Sequence, residues 1–272
     1  MTMFRNKWTY LGLVIIILFI LCAILAPWIA PEDPYKINLV QELAPPGEGH
    51  IMGRDINGSD ILSRLIYGAR ISITIGLVVV LISSFVGILL GLISGYYGGW
   101  IDLLLMRLVD ILLAFPGLLL AIALVAVLGP SITNVVIALT ALGWVSFARL
   151  VRGQVISVKE REYVLAAKTS GQSDIRVMVL HILPNIVSTV IVQATFNIAG
   201  VIISESSLSF LGLGAPPGTP SWGAMLSEGK QVILDAPHVS FFPGLAILLV
   251  VLAFNFVGDG LRDKFDPKTG RE

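Results

Sequence analysis

Six stretches of this chain are each apolar for about the length that a helix needs to cross a bilayer, roughly 20 residues at 1.5 Å per residue. They run from Tyr10 to Ile29, Ile71 to Ile93, Leu103 to Leu128, Ile132 to Leu150, Ile186 to Gly212 and Phe241 to Val257. Composition agrees: 56% of residues are hydrophobic and 13% charged, against about a quarter charged in an ordinary soluble domain. The expected fold is therefore an all-α membrane protein of six transmembrane helices. Arg5 and Lys7 ahead of the first stretch resemble a signal peptide, but no small-x-small cleavage site follows, so it reads as an uncleaved first span.

Six spans put both termini on one side, and lysine and arginine accumulate in cytoplasmic segments. With the N-terminus inside, the cytoplasmic segments hold Arg5, Lys7, Arg107, Arg149, Arg152, Lys159, Arg161, Lys168, Arg176, Arg262, Lys264, Lys268 and Arg271. The external segments hold Lys36, Arg54, Arg64, Arg70 and Lys230. The chain then divides into a tail and first helix (1–30), an external segment (31–68), a five-helix core (69–260) and a cytoplasmic tail (261–272). Formal net charge is zero, which gives no sign of a nucleic-acid partner, and the lone Cys22 excludes an intrachain disulfide.

The most unusual segment is a polar island inside the core, residues 154–185, on the cytoplasmic side. It reads Arg161-Glu162-Tyr163-Val164-Leu165-Ala166-Ala167-Lys168-Thr169-Ser170-Gly171 and runs on through Ser173, Asp174 and Arg176 to His181-Ile182-Leu183-Pro184-Asn185. Val164, Leu165, Ala167, Ile175, Val177, Met178, Val179 and Leu180 are too many apolar groups for a solvated connector and need a surface to cover. The spacing predicts a short helix from Tyr163 to Arg176, with Gly171 admitting another backbone and Pro184 resetting the chain before the fifth span.

Elsewhere, Ser83, Gly87, Gly91 and Gly95 fall four apart and leave one helix face nearly bare for a close neighbour. Phe115-Pro116-Gly117 predicts a kink in the third span. Arg107 and Asp110, three apart, read as a structural ion pair, and Glu205 as a sheltered carboxylate in a helix-packing hydrogen bond or on a pathway. Outside, Ile61, Leu62, Leu65 and Ile66 suggest an amphipathic helix on the membrane surface, and Trp222, Met225, Leu226 and Gly229 fall at helical spacing, with Trp222 suited to the interfacial belt. Interfacial anchoring and contact with an external partner both fit these two elements.

Several patterns carry no chemistry. Gly223 to Lys230 has the wrong glycine spacing for a phosphate loop, Gln231 replaces the required hydroxyl, and the segment lies outside. Asn57-Gly58-Ser59 is a glycosylation pattern that is frequent by chance. His50, His181 and His238 lack companion ligands, so no metal site and no bound cofactor are expected.

The island resembles the EAA loop of binding-protein-dependent ABC importer permeases, and the resemblance extends over most of the chain. His50 to Asp55 with Ser59 to Arg70 is similar to the segment leading into the transmembrane domain of dipeptide, oligopeptide and nickel permeases. So are Gly95 to Asp102, Met106-Arg107 with Asp110 and Ala114-Phe115-Pro116, Glu205 to Gly214, and Gly258 to Asp263. These motifs and the short external segment resemble the C-type subunit of that family, with the type I importer permease fold. One departure stands at Leu165, where the loop usually has an acidic residue; Glu162 lies one turn earlier.

The resemblance implies a chain without enzymatic activity, a second related permease, two ATPase subunits that carry ATP and magnesium, and an external solute-binding protein. It also implies that Glu162, Tyr163, Leu165, Ala166, Ala167, Lys168, Gly171, Ser173, Asp174 and Arg176 form a coupling helix docked on an ATPase. The implied cargo is a dipeptide or oligopeptide, with nickel chelates, glutathione and oligosaccharides as alternatives. A secondary transporter would show internal repeats and midplane carboxylates, and a membrane-embedded enzyme clustered His, Asp or Glu on facing helices; neither pattern is present.

Overall fold

The computed structural model describes residues 7–47 and 49–265; Arg5, Lys268 and Arg271, and with them most of the tail, lie outside these. Among the described residues there is no β-strand, only two isolated bridges. The helices along the chain are α1 (Lys7–Ile29), α2 (Ile61–Tyr97), α3 (Gly99–Leu113), α4 (Gly117–Leu128), α5 (Ile132–Lys159), α6 (Glu162–Thr169), α7 (Asp174–Val177), α8 (Leu183–Phe210), α9 (Trp222–Gly229) and α10 (His238–Phe265). Five helices are long and apolar enough to cross a membrane, and α3 with α4 makes a sixth passage bent by 86°. The break falls at Ala114 to Pro116: proline cannot donate a backbone bond and its ring displaces the preceding carbonyl, so α3 ends at Leu113, two residues before Phe115.

Helix α2 has 37 residues and is thus about 55 Å long, so its ends stand clear of a hydrocarbon core of roughly 30 Å. It begins at Asp60, whose carboxylate accepts from the Ser63 amide at 2.8 Å and the Ser63 hydroxyl at 2.7 Å. Ile61 is buried. The separate surface helix expected around Ile61 to Ile66 does not exist, because this cap starts a helix that runs unbroken into the membrane.

Lipid is as apolar as leucine, so helices in a bilayer are held by close packing more than by escape from water. The column Ser83, Gly87, Gly91 and Gly95 on α2 lies against α5. A methyl at Gly87 would stand 2.4 Å from Phe147 Cβ, and one at Gly95 2.7 Å from Val155 Cβ. The Ser83 hydroxyl donates to the Thr140 carbonyl at 3.4 Å, and Gly143 sits directly over Ser83. Similarly, Gly12 of α1 rests on the Ala253 carbonyl of α10, and Gly76 of α2 on Ile198 and Ile202 of α8.

The helix that ends as α8 begins at Asp174 and is continuous to Phe210. Pro184 does not reset it. Its missing N–H is absorbed by a π turn over Met178–Ile182, closed by the Leu183 amide on the Met178 carbonyl, and Asn185 Nδ2 donates to the His181 carbonyl at 2.7 Å.

Beside the N-terminal end of α2, α9 turns inward. Trp222 is fully buried and its indole donates to the Leu65 carbonyl at 3.0 Å, with Phe19 edge-on at 5.5 Å, and Met225 is buried as well. Neither residue sits in the interfacial belt or is free for a partner. Gly68 explains why: with no side chain there, the indole lies on the α2 backbone, where a methyl would come within 2.5 Å of it.

Nearby, Arg64 is buried and paired with Asp55 and with Glu228 of α9, the latter at 2.6 and 3.2 Å. Arg54 donates to Glu32 at 2.8 Å and to the Gly58 carbonyl at 2.6 Å. Burial pushes the Glu32 carboxyl up, but bonds and charge from Arg54 and Lys36 outweigh it and hold it below its ordinary value. These ion pairs fasten the external segment and α9 to the outer end of α2.

Candidate functional site

The C-terminal end of α2 is fastened as firmly as the N-terminal one, and what it holds is the polar island. Helix α2 stops at Gly98 and α3 starts at Gly99, both at positive φ (65° and 57°), conformations that only glycine adopts without strain. That turn brings Asp102 of α3 back to accept from the Ser94 hydroxyl at 2.5 Å and, in a bidentate pair, from Arg152 of α5 at 2.5 and 2.6 Å. Lys159, the last residue of α5, donates to the Gly95 carbonyl at 2.9 Å. Three helix ends are therefore tied into one block by charge-assisted bonds.

The island is docked on this block. It is not one helix from Tyr163 to Arg176. Helix α6 ends when the Gly171 amide bonds the Lys168 carbonyl and the Gln172 amide bonds the Ala167 carbonyl, with Gly171 at φ 80°. This is a glycine-terminated C-cap. Gly171 thus has no close neighbour in this chain, a methyl there meeting nothing within 4 Å, and its role is to turn the backbone. After the turn, α7 resumes with Ser173 as its N-cap residue and Asp174 in its first turn. The Tyr96 hydroxyl donates to Asp174 Oδ1 at 2.6 Å, Lys168 lies 5.8 Å from the Tyr96 ring centre, and His181 Nε2 meets Gln172 Oε1 at 2.9 Å.

The two faces of the island differ. Val164, Ala167, Val177 and Met178 are buried against Val151, Val155 and Val158 of α5. Tyr163, Leu165, Ile175, Val179 and Leu180 stay exposed, Ile175 at 69%, as do Glu162, Ala166, Ser173 and Arg176. So half of the apolar surface counted in the sequence is covered by this chain, and half is left as an exposed patch. Leu165 projects from that patch, so the usual acidic position of the loop carries an apolar contact group here.

The polar residues of the spans are distributed otherwise than their spacing suggests. Asp110 accepts from Arg149 of α5 at 2.6 Å, with both side chains about half exposed. Arg107 is exposed and does not pair with Asp110. An i, i+3 spacing only brings two residues near each other, and the α3–α5 packing presents Arg149 to the Asp110 carboxylate. Glu205 is buried at 1% exposure; it accepts from the Ser209 hydroxyl at 2.9 Å and the Ser206 hydroxyl at 3.4 Å, while Ser207 bonds the Ile203 carbonyl. Gly223 of α9 packs against Ser206 and Ser209, closing this shelter. Among the described residues no group of His, Cys, Asp or Glu is arranged to hold a metal ion.

Tyr96, Asp102, Arg152 and Lys159 were not singled out by the sequence. For Tyr96 and Asp102 the signal lay in the Gly95 to Asp102 motif, whose polar residues have no purpose in a simple turn; Arg152 and Lys159 stood out only as charges.

Residues 87–271 match the family described as binding-protein-dependent transport system inner membrane component, and residues 2–46 match the N-terminal transmembrane domain of oligopeptide transport permease C. The chain is 48% identical to the dipeptide transport system permease protein of Alkalihalophilus pseudofirmus, over 97% of this chain and 87% of that one. It is 46% identical to the corresponding protein of Haemophilus influenzae, over 97% and 92%. With the glutathione transport system permease protein of Escherichia coli O6:K15:H31 it shares 50% identity over 93% and 84%. A helical fold with five long spans and a bent sixth passage, these motifs in order and this extent of similarity place the chain in the family of binding-protein-dependent transport system inner membrane components.

Proposed function

We propose that this chain is one of two permease subunits of an ATP-driven importer that carries small peptides across the cytoplasmic membrane. Its partners are a second, related permease, two cytoplasmic ATPase subunits that hold ATP and magnesium, and an external solute-binding protein. Both termini and the island lie on the cytoplasmic side. The observation that carries the reading is the two-faced island: one side is fixed to the ends of α2, α3 and α5, and the other offers Tyr163, Leu165 and Ile175 to something soluble. An apolar patch of this kind at a fixed position marks an interaction surface.

The mechanism follows from that stiffness. Closure of the ATPase dimer displaces the island, and the Tyr96–Asp174 and Asp102–Arg152 bonds pass the displacement to α2, α3 and α5 instead of letting it dissipate in the loop. A ligand shifts a conformational equilibrium only by its differential affinity for the two states, so a lever that bent freely would couple nothing. The inner side then shuts while the outer side opens to receive cargo from the binding protein. ATP hydrolysis belongs to the separate ATPases.

Dipeptides are the first reading of the cargo, from the first two relatives, and glutathione is the second, from the third. The test is uptake of a labelled dipeptide by proteoliposomes holding all four kinds of subunit. Accumulation that needs both ATP and the binding protein is expected, and competition by glutathione separates the two cargoes. Uptake driven by an ion gradient without ATP would overturn the assignment.

A further inference from the structure

Halfway along three long helices the chain places polar groups that carry no charge. Ser83 of α2, Ser146 of α5, and Asn197 and Ser204 of α8 line one groove of about 250 Å³, floored in part by Gly117 at the start of α4. Ser146 is halfway along Ile132–Lys159 and inside its apolar stretch, and Asn197 is halfway along Leu183–Phe210, so both lie within the membrane-spanning parts of their helices. Ser146 is exposed at the surface of this chain, and Gly200 beside it is open, a methyl there meeting nothing within 4 Å.

Hydrocarbon is a poor neighbour for such a surface, because an amide without hydrogen-bond partners is costly there. The serine hydroxyls find backbone carbonyls, Ser204 that of Gly200 at 2.8 Å and Ser146 that of Gly143 at 3.2 Å, but the amide is not satisfied within the groove. Asn197 Nδ2 reaches Ser146 Oγ only at 3.5 Å, and Gln193 Nε2 reaches Asn197 Oδ1 at 3.4 Å. A side-chain amide offers two donors and two acceptor positions, so most of the capacity of Asn197 is left to something outside the chain. The groove also begins where α4 starts after the 86° break. Non-helical backbone at membrane depth is tolerated where it is buried in protein or lines a water-filled cavity.

We infer that this groove is the wall that the chain contributes to the substrate passage within the membrane, and that it reads the amide groups of a peptide rather than its charged ends. The inference rests on the permease reading above. No ionisable side chain lines the groove, so a free carboxylate or ammonium would find no countercharge in it. An asparagine amide, in contrast, pairs donor to acceptor and acceptor to donor with a peptide group. Contacts of this kind are shared by all peptides and hold none of them tightly, which suits passage.

The test uses the complete complex in proteoliposomes, with Cys22→Ser and single cysteines at Ser146, Asn197 and Ser204. A charged, water-soluble thiol reagent should modify Ser146→Cys and Asn197→Cys, and transported dipeptide delivered by the binding protein should slow the reaction. Modification by a lipid-soluble reagent alone would put the groove against lipid and overturn the inference. No modification by either reagent in any nucleotide state would mean that a helix of the other permease fills it, which also overturns the inference. Modification that peptide does not slow would refute the role in substrate contact. In uptake, Asn197→Leu should lose on the order of tenfold while Asn197→Gln keeps most activity, both with binding-protein-stimulated ATP hydrolysis intact. Equal activity in the two would count against the inference. Uptake by the parent complex in the same vesicles reports on the permease reading separately, and the labelling does not depend on it.

Discussion

The column of small residues on α2 leaves little room for any substitution, and Gly91 stands at its middle between Gly87 and Gly95. A methyl built on Gly91 lies 2.7 Å from the Ala148 carbonyl oxygen and 2.7 Å from Val151 Cβ. Both atoms belong to or adjoin the α5 backbone, so neither swings aside like the tip of a long side chain. Restoring ordinary contact requires the two helices to separate by roughly 1 Å, and overpacking of this kind costs about 1–3 kcal/mol. Gly87 and Gly95, one turn to either side, resist the same separation. At roughly 2–4 °C per kcal/mol for a chain of this size, Gly91→Ala should lower the melting midpoint of the purified complex by about 2–12 °C, and Gly91→Leu should reduce the yield of assembled complex. Gly153 of α5 is the control: a methyl there meets nothing within 4 Å, and Gly153→Ala should leave the midpoint unchanged or slightly raised. Thermal melts followed by intrinsic fluorescence, with size-exclusion profiles before heating, read both quantities. A Gly91→Ala complex that melts with the parent, or a Gly153→Ala complex that falls as far as Gly91→Ala, would refute the packing argument.

Three other substitutions address the fastenings at either end and the buried carboxylate. Tyr96→Phe removes the 2.6 Å bond to Asp174, worth about 1.5 kcal/mol for a charged acceptor, and should lower peptide uptake per ATP hydrolysed on the order of tenfold with ATP hydrolysis retained; an unchanged ratio would show that this bond transmits nothing. Arg64→Met leaves Asp55 and Glu228 buried without their cation and should cost about 3–5 kcal/mol, read as a large drop in folded protein, with Asp55→Asn and Glu228→Gln added together restoring part of it. Failure of that pair to restore anything would locate the loss elsewhere. Glu205→Gln should keep most activity because the serine hydroxyls can still bond its carbonyl oxygen, whereas Glu205→Leu should destabilise by about 1–3 kcal/mol through unpaired hydroxyls. Equal tolerance of both, in melting and uptake, would remove any such role.

The spans could be read from the sequence because about 20 apolar residues match the thickness of a bilayer, and the break at Pro116 because proline removes a backbone bond. The sequence also puts Ser83, Gly87, Gly91 and Gly95 on one face, but it does not say which helix they meet. What escaped it are pairings decided by tertiary geometry. Arg64 meets Glu228 across 164 positions of sequence, and the apolar spacing around it mimics a surface helix because the outer end of α2 is itself half-buried in the external segment. Trp222 suits an interface by type, yet a gap at Gly68 takes it inside. Asp110 takes Arg149 over its near neighbour Arg107 because α5 packs against α3 there, a contact that spacing within α3 does not reveal. The island was visible as a unit, but its division at Gly171 depends on a left-handed turn, which an Ala-Ala-x-x-x-Gly pattern does not distinguish from a close approach by another chain.

The most direct test of the account is to identify what touches the exposed face of the island. A photo-crosslinking phenylalanine analogue placed at Leu165 or at Ile175 in the assembled complex, and at Val127 for comparison, reports each neighbour after irradiation and mass spectrometry. Leu165 and Ile175 are 49% and 69% exposed on the island, and Val127 is 87% exposed near the end of α4. The account requires crosslinks from Leu165 and Ile175 to an ATPase subunit and none from Val127. An ATPase that copurifies with the complex yet is never captured from either island position would contradict it.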